Sequence, residues 1–245
     1  MTSANAILRN ALSTSRLGLL CLALACSSPA QAPSTANEAS VRPGINETFL
    51  AEDLDVERFV EIFEGESREV FVQRERIVEA LAVSSGMTLA DIGAGTGLFL
   101  PVLDRKVGPA GRVYAVDISP KFLEHLRERA EREDLARVDV VKALEDSVAL
   151  PAASVDLAFV CDTYHHFEYP RSTLDSLYAA IRPGGFLVVV DFERVPGETL
   201  DWVLEHVRAG KEVFRREIES AGFRFEREVT VEGLKENYVL RFRRP

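Results

Sequence analysis

The chain has 245 residues, of which 47% are hydrophobic and 28% charged, and its formal net charge is −10. That length and composition suit one soluble α/β domain with a short extension. The acidic balance excludes a generic nucleic-acid binder, because neutralising phosphates requires a basic surface.

The first segment differs from everything after it. Arg9 and Arg16 precede an apolar run from Leu17 to Ala25, and Cys26-Ser-Ser-Pro follows. A charged start, a short apolar core and small residues are the marks of a secretory signal, and the run is too short to cross a bilayer. Leu22-Ala-Leu-Ala-Cys26 resembles a bacterial lipoprotein box, although Ala23 stands where leucine is usual. The resemblance implies a signal peptide at 1–25, a lipidated Cys26 as mature N-terminus, and a cell-envelope protein that touches the membrane only through that lipid. Ala30-Gln-Ala32 is an alternative cleavage site, and a mis-assigned start with a cytoplasmic protein is the other reading. Residues 26–45, rich in Ser, Ala, Pro and Asn, read as a flexible tether to a domain at 46–245. Cys21 and Cys26 lie in the leader, so Cys161 stands alone in the domain and makes no internal disulfide.

From Asp53 to Leu81 apolar residues recur at helical spacing, broken near Gly65-Glu66-Ser67, which predicts two helices in an N-terminal cap at 53–82. Strand and helix then alternate. Strands are expected at 87–92, 112–117, 137–142, 155–161 and 185–191, and helices at 97–107, 120–134 and 172–182. Ser119-Pro120 is a helix start, with a capping hydroxyl before a proline in the first position. Repeated β-α units imply a parallel sheet with helices on both faces and ligands at the strands' carboxyl ends. A long helical region from Thr199 to Ala221 leads into two alternating runs, Phe223 to Val231 and Asn237 to Arg243, which read as a terminal antiparallel hairpin. The closing Arg-Phe-Arg-Arg-Pro reads as the end of a solvated edge strand rather than a basic patch.

The chemistry concentrates in Leu89-Ala-Asp-Ile-Gly-Ala-Gly-Thr-Gly-Leu98. Glycines at 93, 95 and 97 suit a tight strand-to-helix turn that a ligand approaches closely, and Asp117 at the tip of the next strand is placed for ribose hydroxyls. A dinucleotide site prefers Gly-x-Gly-x-x-Gly, but Leu98 occupies the third glycine's place, and no P-loop Gly-Lys-Ser/Thr is present. The pattern here, Asp91-x-Gly93-x-Gly95-x-Gly97, resembles motif I of the class I S-adenosylmethionine (SAM) methyltransferases. An acid beside the loop fits a cofactor carrying an ammonium and a sulfonium, whereas it would repel a pyrophosphate. Asp146-Ser-Val-Ala-Leu-Pro151 and Ile181-Arg-Pro-Gly-Gly-Phe-Leu187 are similar to two further stretches of that family, and the resemblance covers 53–245.

The resemblance implies a Rossmann-like seven-stranded sheet, mostly parallel, with a C-terminal antiparallel hairpin, and SAM as the cofactor. Asp91 or the amides of the loop with Gly93, Ala94, Gly95 and Gly97 would hold its amino-acid end, Asp117 the ribose and Asp146 the adenine, with Ile118, Ser147 and Asp162 also at the cofactor. Cys161-Asp-Thr-Tyr-His-His-Phe-Glu-Tyr-Pro170 resembles the family's loop after the fourth strand, so Asp162, Tyr164, His165 and His166 are the candidates for acceptor contact or proton removal. Either histidine could instead pack the loop. Adjacent histidines do not easily chelate one ion, so no metal site is expected. Arg74 and Arg76 read as solvated, with a reach to the cofactor carboxylate as the alternative. Aromatics at Phe59, Phe63, Phe71, Tyr164, Phe167 and Tyr169 hint at a small or lipid-like apolar acceptor. Competing readings are a non-catalytic envelope module that retains a nucleoside-binding fold and an NAD-dependent oxidoreductase, the latter disfavoured by Leu98 and the hairpin.

Overall fold

The computed structural model describes residues 38–245. The expected signal peptide, the lipidated Cys26 and most of the tether lie outside the described residues. The tether's last part is not loose: the Glu38 carboxylate accepts from the backbone N–H groups of Arg171 and Ser172 at 2.9 and 2.7 Å, and Arg42 reaches the carbonyls of Glu205 and His206. Among the described residues no helix is long and apolar enough to cross a membrane.

Seven strands form the sheet: β1 (Thr88–Ile92), β2 (Arg112–Asp117), β3 (Val138–Lys142), β4 (Val155–Cys161), β5 (Ile181–Phe192), β6 (Arg224–Glu228) and β7 (Asn237–Arg243). Their spatial order is β3-β2-β1-β4-β5-β7-β6, parallel except where β7 runs against β5 and β6. This is the mixed sheet expected. Its central strands are apolar on both faces because both are covered. Leu157, Phe159, Val188 and Val190 face one core with Ile77, Leu100 and Leu103, while Ala158, Val160, Leu187 and Val189 face the other with Leu174, Leu177 and Phe214.

The C-terminal run Asn237–Arg243 is not an edge strand, since β7 inserts between β5 and β6. Arg241 is accordingly buried, with its guanidinium 3.7 Å from the centre of the Phe186 ring and donating to the carbonyl of Leu81 at 3.0 Å. A flat guanidinium stacked on an aromatic and bonded to a carbonyl is how this cation tolerates burial.

The helices are α1 (Glu47–Leu50), α2 (Val56–Phe63), α3 (Glu69–Val72), α4 (Arg74–Ala80), α5 (Leu100–Val107), α6 (Pro120–Arg132), α7 (Pro170–Ala180), α8 (Asp201–His206) and α9 (Lys211–Ser220). The cap at 53–82 is thus three short segments, α2 to α4, rather than two helices, with Asp55 capping α2 by accepting from Arg58 N–H at 3.1 Å. α5 begins three residues later than expected because Gly97 has φ +86, which no right-handed helix accommodates. α6 starts as read, with Ser119 accepting from Phe122 N–H at 3.4 Å. The expected long helix from Thr199 to Ala221 is broken into α8 and α9. The break is held by arginines: Arg194 donates to the carbonyls of Leu204 and Val207, and Arg42 to those of Glu205 and His206. These side chains satisfy the carbonyls a helix end leaves open, so α8 can stop at His206.

Candidate active site

The order of the parallel strands reverses between β1 and β4, and a cavity of about 1150 Å³ opens at their carboxyl ends. Single-ligand pockets run to roughly 300–1,000 Å³, so this one has room for a cofactor and a second molecule.

Its floor is the turn after β1. Gly93 has φ +71, and a Cβ there would lie 2.2 Å from Thr163 Cγ2, so only glycine lets the loop after β4 close against it. Gly95 donates its N–H to Asp117 Oδ2 at 2.8 Å, and the other carboxylate oxygen accepts from Ser119 N–H at 2.8 Å. Asp117 therefore ties the turn to the start of α6, with burial pushing its carboxyl upward against those hydrogen bonds. Arg129 adds a third tie, donating to the carbonyl of Thr96 at 2.9 Å and pairing with Glu64 of the cap at 2.5 Å.

Asp91 differs from Asp117. It is 3% exposed and lines the cavity, and among the described residues no donor meets its carboxylate. Burial, reinforced by the charge of Asp117, raises it to about 7. A buried carboxylate without a partner is costly unless a cation neutralises it.

The roof is aromatic. Phe49, Phe59, Phe63 and Phe122 pack ring to ring, with centroids 5.3 to 6.4 Å apart, and Phe192 and Trp202, which also line the cavity, form a T-shaped pair at 5.2 Å.

The loop after β4 carries the residues singled out as catalytic, and they separate. Asp162, at φ +48, pairs with Arg68 Nη2 through Oδ2 and accepts from Asn237 Nδ2 through Oδ1, both at 2.5 Å. Burial lifts its carboxyl to about 6, with Arg68 holding it down. It clamps the loop between the cap and β7. Tyr164 is fully buried and does not line the cavity; its hydroxyl donates to Glu217 at 3.0 Å and its ring packs on Phe167 and Phe214. The structure therefore corrects the catalytic reading of Tyr164 to a packing role. Its phenol is pushed well up by burial and by Glu217.

His165 and His166, on a 3-10 turn (Tyr164–His166), both line the cavity. His165 is 2% exposed, and its Nδ1 lies 2.8 Å from Asp191 Oδ1, while its N–H donates to Asp191 Oδ2 at 3.2 Å. His206, at the end of α8, brings its Nε2 to 3.1 Å from His166 Nε2. Burial first, then the neighbouring His165, lowers both His166 and His206. The third histidine of this group, His206, comes from forty residues further along the chain than His166.

Ala94, Ile118 and Ser147 line the cavity, but Asp146 does not. It is exposed at the tip of a tight turn closed by Leu144 and Ser147, and it borders a separate groove with Lys142 and Tyr169. Glu145 is the acid of that turn on the cavity wall. Arg74 lies over Phe71 and donates to its carbonyl, and Arg76 bonds Gln73 and Glu232, so neither reaches the site. Arg68, Asp191, Asn237, Trp202 and His206 are the site residues that sequence reasoning missed. The break of Thr199–Ala221 at Val207–Gly210 was the one available signal, since Gly210 interrupts an otherwise helical run.

A family model described as a methyltransferase domain matches residues 90–189, from β1 to β5. An uncharacterised 37.1 kDa protein in a transposon of Streptomyces fradiae is 32% identical over 46% of this chain and 32% of its own length. The ubiquinone/menaquinone biosynthesis C-methyltransferase UbiE of Methylococcus capsulatus is 30% identical over 51% of this chain and 52% of its own length. The matched region thus spans about half or less of these curated relatives. A crystal structure of a SAM-dependent methyltransferase from Aquifex aeolicus superposes with a TM-score of 0.70 at 27% identity, over 78% of this chain and 99% of that one. The fold is the Rossmann-like class I methyltransferase fold. The matches support the class I methyltransferase family and SAM as its cofactor, and a buried carboxylate beside the glycine turn fits that cofactor's ammonium.

Proposed function

We propose that this chain transfers the methyl group of SAM to a small, apolar acceptor. The single observation that carries the reading is Asp91, a buried carboxylate without a partner, set beside the glycine turn of a cavity with an aromatic roof. Bound SAM supplies an activated methyl on a sulfonium. Asp91 would hold the cofactor's ammonium, and the remaining acceptor capacity of Asp117 would meet the ribose. Ser147 and Glu145 are the polar groups of the cavity wall at the adenine end, in place of Asp146. Phe49, Phe59, Phe63 and Phe122 would seat the acceptor and exclude water, which orients it for in-line displacement. Similarity to a quinone C-methyltransferase supports an apolar ring as acceptor. Calorimetry of the full chain with SAM, its demethylated product and NAD tests this: the first two bind and NAD does not, and failure of SAM to bind removes the reading.

We also propose that the protein is exported and anchored through a lipidated Cys26, as its leader supports. Metabolic labelling with a lipid analogue should mark the wild type and not Cys26→Ser; equal labelling of both, or of neither, would remove this proposal.

A further inference from the structure

Three of the chain's four histidines meet at one point of the cavity wall. The nitrogens that His165, His166 and His206 can offer lie within 4.8 Å of one another, and the closest pair is 3.1 Å apart. A tetrahedral ion with nitrogen ligands at about 2.0–2.1 Å sets its ligand atoms about 3.3–3.4 Å apart. The closest pair is already at that spacing, and the widest must close by about 1.4 Å, a side-chain adjustment.

The surroundings are those of a ligand set. Asp191 takes His165 Nδ1, which leaves Nε2 as the nitrogen free to ligate, and a carboxylate behind a histidine is the usual arrangement around a metal. The 3-10 turn is fixed from outside, since Asn46 Nδ2 donates to the carbonyl of His166 at 3.1 Å. Arg42 is the neighbouring cation, and its guanidinium is turned to the carbonyls of Glu205 and His206.

We propose that His165, His166 and His206 bind one transition-metal ion, Zn²⁺ foremost, with a coordination position open to the cavity. Three imidazoles select a borderline ion over Mg²⁺ or Ca²⁺, which want oxygen. Three protein ligands with a fourth position free is the pattern of sites where a metal meets a substrate. A hydroxyl or thiol of an acceptor at that position would release its proton to water more readily. Its lone pair would then form the bond to the methyl carbon as the carbon–sulfur bond breaks and its electron pair returns to sulfur. That consequence rests on the methyl-transfer reading; metal binding does not.

The test uses the full chain without an affinity tag, stripped by chelator and titrated with Zn²⁺ by calorimetry and with Co²⁺ by absorption. One ion per chain is expected, with the intense visible bands of tetrahedral Co²⁺. His206→Ala and His206→Gln, at a half-buried position ending a short helix, should keep the fold by circular dichroism and bind at least about 100-fold more weakly. Asp191→Asn, which keeps all three ligands, should weaken binding by about 10- to 100-fold. His125→Ala should bind as the wild type does. If the folded wild type takes up no ion, or His206→Ala binds as tightly, the proposal is wrong. SAM affinity, measured separately on metal-free protein, distinguishes this failure from failure of the methyl-transfer reading.

Discussion

The floor of the cavity is backbone from one short turn, closed by Asp117 and Arg129, whereas its roof is side chains drawn from segments far apart. Phe49 comes from α1, Phe63 from α2, Asp162, Thr163, His165 and His166 from the loop after β4, and Trp202 and His206 from α8. The floor can hold a ligand defined by a constant chemical pattern. The roof can be rebuilt by changing one segment at a time, so such a fold can keep its floor and vary what it seats above it.

Breaking the floor should have the largest effect. Gly93→Ala puts a methyl group into Thr163 and a residue with a side chain at positive φ, so it should lower stability by about 2–4 kcal/mol in denaturant unfolding and abolish detectable SAM binding. Asp91→Asn removes the charge and keeps the shape. SAM affinity should fall about 10- to 100-fold by calorimetry, the worth of a hydrogen bond to a charged group.

Acidity sharpens the same contrast. Asp91 titrates at about 7 in the folded protein against an ordinary 3.8, with Asp117 and Cys161 facing it. Between those values the folded state holds a proton that the unfolded state has released, so its contribution to stability is full below 3.8 and is lost as pH rises through about 7. The slope should reach about 1.4 kcal/mol per pH unit at most, and Asp91→Asn should flatten it in unfolding experiments across pH 4 to 8. Cofactor binding has the opposite sense, since only the ionised carboxylate attracts the ammonium, and SAM affinity should fall as pH drops below 7.

Behind the cavity wall, Tyr164→Phe tests packing against chemistry. It should cost about 1–2 kcal/mol of stability through the lost bond to Glu217 and leave SAM binding unchanged. Phe59→Leu should have the smallest effect, under about 1.5 kcal/mol in stability, with a few-fold weaker binding of a quinone-like ring and none on SAM.

This contrast also explains which parts were legible in the sequence. Asp91, the three glycines and Asp117 sit on two adjacent strands and the turn after the first of them, where local spacing encodes position. The parallel strands announced themselves as apolar runs between glycine and proline. By contrast, Arg68 meets Asp162 across ninety-four residues and His206 meets His166 across forty, and no local pattern carries such pairings. Asp146 lies outside the cavity because its exposed turn borders a separate groove, while its neighbours Glu145 and Ser147 reach the cavity wall. The C-terminal run looked like an edge because its arginines alternate with apolar residues, yet Phe186 and the carbonyl of Leu81 receive Arg241 in the interior.

The chain has a single tryptophan, and it stands on the cavity wall, 46% exposed, 5.2 Å from Phe192 and 6.4 Å from His206 between ring centres. Intrinsic fluorescence of the native protein therefore reports on one place. An apolar acceptor entering beneath Trp202 should shift its emission to the blue, while a paramagnetic ion at the histidines should quench it, so the two occupants can be followed without a label and told apart by the sign of the signal.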